Sequence, residues 1–121
     1  MYRSFKDMPV WQVAMSLAEE VFRRTEKLPK SEDYGLTSQV RRAALSVPSN
    51  IAEAFGRSHA LDKAHFYYVA RGSIAETQTQ LEYARRVDYL PPEAAGSLDQ
   101  RLTKMYNDLN KLIVAVKSSK T

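Results

Sequence analysis

Glu53 and Glu76 are the residues of this chain best suited to acid–base chemistry, since each sits in a row of polar side chains at helical spacing. If the two rows met, the carboxylate pair could move a proton to and from a substrate. The competing assignment pairs each with an arginine: Glu53 with Arg57 at i,i+4, and Glu76 with Arg42 or Arg41 across helices. Structural ion-pair networks produce the same clusters, and they leave no free carboxylate for catalysis. Nucleophilic chemistry lacks a base, because Ser46, Ser49 and Ser73 have no histidine at helical reach. The two histidines, His59 and His65, have no glutamate three residues before them, as a di-iron bundle requires. With no cysteine and no His-x-x-x-His pair, zinc has no ligand set either. No glycine-rich phosphate loop or dinucleotide fingerprint occurs. The residues therefore predict no enzyme, no catalytic group, no metal and no cofactor.

The polar rows need another explanation. Between Tyr34 and Arg57, the residues Gln39, Arg42, Ser46, Asn50, Glu53 and Arg57 recur every three or four positions. About 100° around the same cylinder runs an apolar stripe of Val40, Ala44, Val47, Ile51 and Phe55. A later segment repeats the device with Ser73, Glu76 and Gln80. Exposed helix faces favour Lys, Glu and Ala, for which Ser and Asn are poor substitutes. A hydrogen-bonded network against another helix or subunit accounts for such a row, and fixes one packing arrangement. Gln39, Arg41, Arg42, Ser46, Asn50, Glu53, Arg57, Ser73 and Glu76 are accordingly assigned to architecture. Gly72 costs ~1 kcal/mol inside a helix relative to alanine, so close approach of another backbone is expected there. Pro48 removes one donor and predicts a kink without a break.

Four helices position these rows, over residues 9–27, 37–56, 61–87 and 92–117. Pro9 suits a first turn, and Val10, Ala14, Leu17 and Val21, broadened by Trp11, Ala18 and Phe22, give the first helix its buried stripe. Thr37 or Ser38 can cap the second. Phe66, Ala70, Ile74, Thr77, Leu81 and Ala84 mark the third; Leu98, Leu102, Met105, Leu109, Leu112 and Val116 form the a/d seam of the fourth. Lys117 to Thr121 reads as a frayed tail. No segment alternates with period two, so the expectation is an all-α, antiparallel up-and-down four-helix bundle, one domain over residues 1–121.

Eighteen Lys and Arg against 14 Asp and Glu leave +4, which permits attraction to nucleic acid without requiring it. Arg23 with Arg24 and Arg85 with Arg86 flank apolar stripes outside the polar rows, which makes them the expected phosphate contacts. Tyr67, Tyr68, Tyr83 and Tyr89 lie among the later basic residues, and arginine with tyrosine suits phosphates and unpaired bases. A protein-interaction scaffold is the alternative, anchored by Trp11, Phe22 or Tyr106. Without cysteine, a signal-length apolar run or a membrane span, the expected location is cytoplasmic.

The segments FKDMPVWQVAMSLAEEVF, YGLTSQVRRAALSVPSNIAEAFGR and FYYVARGSIAETQTQLEYARRVDYL resemble the family of four-helix bundles encoded within intervening sequences of 23S ribosomal RNA genes. The likeness rests on Tyr34-Gly35-Leu36, Gln39, Arg41-Arg42-Ala43-Ala44, Asn50-Ile51-Ala52-Glu53, Gly56-Arg57 and Gly72-Ser73-x-x-Glu76. Ala54 departs from the pattern, where a glycine usually follows. The resemblance implies a homopentameric ring with a central channel. Through the related accessory protein of diversity-generating retroelements, it also implies RNA or DNA and a reverse transcriptase as partners.

Overall fold

Pro9 and Pro92 each open a helix, where a missing N–H and a fixed φ cost nothing. The computed structural model describes residues 1–119, which form α1 (Pro9–Arg24), α2 (Leu36–Phe55), α3 (Ala60–Arg86) and α4 (Pro92–Lys117). Among the described residues there is no strand. Ser118 and Ser119 continue α4 as a turn, and the last two residues of the expected tail lie outside the described residues.

Two boundaries differ from expectation. Helix α1 stops at Arg24, and the Thr25 hydroxyl that follows donates to the carbonyls of Val21 (2.8 Å) and Phe22 (3.1 Å). Neither Thr37 nor Ser38 caps α2. Its N-cap is Gly35, and the Glu32 carboxylate, in a preceding 3-10 turn (Lys30–Glu32), accepts the Leu36 N–H at 3.2 Å instead. A Cβ on Gly35 would stand 3.1 Å from that carboxylate oxygen, so glycine makes room for the cap. Pro48 is buried, and α2 runs unbroken through it. Ala54 is fully buried and helical, so the missing glycine leaves α2 undisturbed.

The α3–α4 turn needs a left-handed residue, and Asp88 supplies it with φ 66°. Tyr89 N–H then reaches the Ala84 carbonyl at 2.8 Å, the six-to-one bond that closes a helix C-terminus.

Side-chain bonds give the register. Ser46 meets Ser73 and Ala54 meets Lys63, which sets α2 antiparallel to α3. Tyr68 meets Lys117, Arg71 meets Asn110 and Gln78 meets Thr103, which does the same for α3 and α4. Each helix packs on its neighbours in chain order, and α1 closes on α4 along the thinnest seam. The core is the expected one: Ala14, Leu17, Val21, Val40, Val47, Ile51, Ala70, Ile74, Leu81, Leu98, Leu102, Met105 and Leu109 are all buried. Burying an isoleucine or leucine contributes roughly 2 to 3 kcal/mol. Late in α4 the stripe drifts, so Ile113 is buried while Leu112 and Val116 are half-buried. Phe22, expected in the α1 stripe, is instead half-exposed under the Arg41 guanidinium, 4.0 Å from its ring centre. Tyr67 is buried too, and burial pushes its phenol up from the usual value.

Candidate functional site

Polar residues of the second and third helices divide into three groups. The first is a bonded cluster on the α2–α3 seam: Ser46 Oγ and Ser73 Oγ lie 2.8 Å apart, and Asn50 Nδ2 donates to the Ser46 carbonyl (2.8 Å) and hydroxyl (3.0 Å). Ser73 is buried, Ser46 and Asn50 half-buried. Ser46–Ser73 is the bond that joins the two polar rows, whereas Gln39, Arg42, Glu53, Arg57 and Glu76 are exposed.

The second group has turned away. Arg41 does not reach Glu76; its Nε donates to Thr25 Oγ1 (2.9 Å) and its Nη2 to the Phe22 carbonyl (3.1 Å). The exposed end of α1 attracts the cation, since unpaired carbonyls and the negative pole of the helix converge there. Glu53 and Arg57 pair with each other at 3.2 Å as expected, both exposed, and Arg57 also covers the Phe66 ring.

The third group is unpaired. Gln39, Arg42 and Glu76 line a shallow groove of about 470 Å³ with Tyr34, Ser38, Ala43 and Ser46. Among the described residues Arg42 and Glu76 make no ion pair with each other or with any other residue. The expected Glu76 pairing is therefore absent within one protomer. Gly72 is exposed, with nothing within 4 Å of where a Cβ would stand, so the close approach expected there does not come from its own bundle.

Net charge is distributed unevenly along the bundle. Dividing it at the level of Ser46 and Ser73, residues 17–45 and 75–104 carry ten Lys and Arg against ten Asp and Glu. The other half, residues 1–16, 46–74 and 105–119, carries seven against four. Arg23, Arg24, Arg85 and Arg86 stand in the balanced half. Arg23 and Arg24 hold Glu20 (3.2 and 2.9 Å), while Arg85 and Arg86 hold Glu82 (2.7 and 2.9 Å). Hydrogen bonds from Arg85 and then Arg86 bring the Glu82 carboxyl down to about 2. Each arginine pair thus nets a single charge, at a helix C-terminus that already favours cations.

In the basic half, Lys63 caps α2 through the carbonyls of Ala54 (3.0 Å) and Phe55 (3.3 Å). Arg71 and Lys117 are the cations on its α3–α4 face. Arg71 Nη1 donates to Asn110 Oδ1 at 2.8 Å, with its guanidinium 4.9 Å from the Tyr68 ring and 5.5 Å from that of Tyr106. Lys117 Nζ donates to the Tyr68 hydroxyl at 3.1 Å. No residue spacing announces this cluster, because Tyr68 and Lys117 are 49 positions apart and only the register joins them. The scaffold anchors do not converge: Trp11 packs edge-on against Phe5, Phe22 carries Arg41, and Tyr106 lies near Arg71.

A model of the 23S rRNA-intervening sequence protein family matches residues 6–111. The chain belongs to that family. A crystal structure of a protein of unknown function from the S23 ribosomal protein family of Bacteroides thetaiotaomicron VPI-5482 is similar to it, with a TM-score of 0.77. The two are 20% identical over 86% of this chain and 97% of that one, a likeness of fold alone. No curated protein matches the chain. Among the described residues of this family member, no helix is long and apolar enough to cross a membrane.

Proposed function

We propose that this intervening-sequence protein is a non-catalytic bundle that self-associates through its α2–α3 groove and binds RNA or DNA through its basic half. The carrying observation is charge segregation: all of the excess positive charge on the described residues lies on one side of the Ser46–Ser73 level. A phosphate backbone is drawn to that half, and association of copies multiplies the field. The unpaired Arg42 and Glu76 support the first part, since a neighbouring copy can offer each an opposite charge. A ring of five is the assembly that the resemblance implies.

Fluorescence anisotropy with a labelled oligonucleotide tests the binding. Affinity should fall with salt at a logarithmic slope of about −0.7 to −0.9 per phosphate neutralised. Replacing Arg57, Arg71, Lys111 and Lys117 by alanine should flatten that slope; replacing Arg23, Arg24, Arg85 and Arg86 should flatten it much less. Equal effects, or salt-insensitive binding, would overturn the reading. Light scattering tests the assembly. Arg42→Glu and Glu76→Arg should each dissociate it, and the double exchange should restore it.

A further inference from the structure

The α3–α4 face holds a cluster that bulk electrostatics does not explain. Tyr68 is 38% exposed on the outer side of α3, with the Arg71 guanidinium 4.9 Å from its ring centre and the Lys117 ammonium 5.6 Å away. Among the described residues neither cation has a carboxylate within 4.0 Å, in contrast to the arginine pairs that hold Glu20 and Glu82. Asn110 accepts one Arg71 N–H at 2.8 Å and fixes the guanidinium plane, leaving four of its five donors without a protein acceptor among the described residues. Lys117 uses one of three donors on the Tyr68 hydroxyl. Arg71 lies over the ring and Lys117 at its hydroxyl, so a held aromatic ring with two uncompensated cations combines the two elements that single-strand recognition uses, a stacking surface and phosphate-directed donors.

We propose that Tyr68, flanked by Arg71 and Lys117 and supported by Asn110 and Tyr106, is a stacking platform for an unpaired base, with the two cations taking the adjoining phosphates. The ligand class is single-stranded RNA or DNA. This inference rests on the nucleic-acid reading above and adds to it a preference for unpaired strands, since a base inside a duplex cannot present its face to Tyr68. The platform is separate from the assembly groove. Tyr68 and Glu76 lie about 80° apart around α3, at 100° per residue.

The experiment compares a labelled single-stranded oligonucleotide with its duplex, using the full chain and three variants: Tyr68→Ala, Tyr68→Phe and Lys117→Ala. Circular dichroism melts confirm that each is folded; Tyr68 and Lys117 are surface residues, so the bundle should survive both. Tyr68→Ala should weaken single-strand binding by roughly 5- to 100-fold and leave duplex binding within about twofold. Tyr68→Phe keeps the ring and should stay near the parent. Lys117→Ala should flatten the single-strand salt slope by about 0.7. Parent-like single-strand binding by Tyr68→Ala, or equal losses on both ligands, overturns the platform while leaving the broader reading intact. If the parent protein binds neither ligand at low salt, the nucleic-acid reading itself falls.

Discussion

Arg41→Ala separates a residue that holds the protomer together from one that joins copies. Sequence assigns Arg41 to architecture alongside the polar row, and its guanidinium is spent inside the bundle. Truncation removes the bond to Thr25 Oγ1 at 2.9 Å, the bond to the Phe22 carbonyl at 3.1 Å, and the cation held 4.0 Å from the Phe22 ring centre. Two half-exposed bonds from a charged donor contribute about 1 kcal/mol each. The ring contact adds roughly 0.5 to 1 kcal/mol. The loss is therefore about 2 to 3 kcal/mol, a drop of roughly 1 to 2 M in the urea midpoint at ordinary slopes. Denaturation is followed by far-UV circular dichroism at low protein concentration, with light scattering recorded in parallel. Arg41→Lys keeps the charge but loses the planar fork, and should recover less than half of the loss. A destabilisation below about 0.5 kcal/mol would refute the clamp on this arithmetic. So would a variant with parent-like stability that fails to assemble.

Three further outcomes follow from geometry already described. Ile74→Ala removes a side chain with 0% exposure and should cost about 3 to 4 kcal/mol in the same urea assay. Gly72→Ala meets open space in the protomer, so it should raise the stability of the isolated bundle by roughly 0.5 to 1 kcal/mol; if another copy covers this face, light scattering should show weaker association. Glu82, held down to about 2 by Arg85 and then Arg86, has a folded value below its ordinary 4.5. Its stabilising share is thus complete above pH 4.5 and disappears as pH falls through about 2, and a carboxyl-carbon NMR titration should find its midpoint near 2 rather than near 4.5.

Periodicity carried most of the fold. The stripes of α1 to α4 repeat over many turns, and the packing of neighbouring stripes leaves few alternatives, so helix number, order and most core residues were readable. Termini were harder. Glu32 caps α2 from outside the helix, and no local pattern distinguishes that from capping by Thr37 or Ser38. The polar row was legible as a row, and the Ser46–Ser73–Asn50 cluster sits where the spacing puts it. Its partners were not. Arg41 and Arg42 are adjacent in sequence, and 100° of rotation sends one to the end of α1 and the other to the groove. Charge segregation was hidden for a related reason, because residues far apart in the chain share one half of the molecule only after it has folded back three times.

Because α1 closes on α4 along so slender a join, the four rods are not equally committed to the native state. Helices α2, α3 and α4 pack in chain order, and α1 is joined mainly to α2, where Arg41 holds its C-terminal end. Amide hydrogens of α1 should accordingly exchange with solvent before those of α3, and the first partly open form of the molecule should be a three-rod remnant with its edge rod swung away.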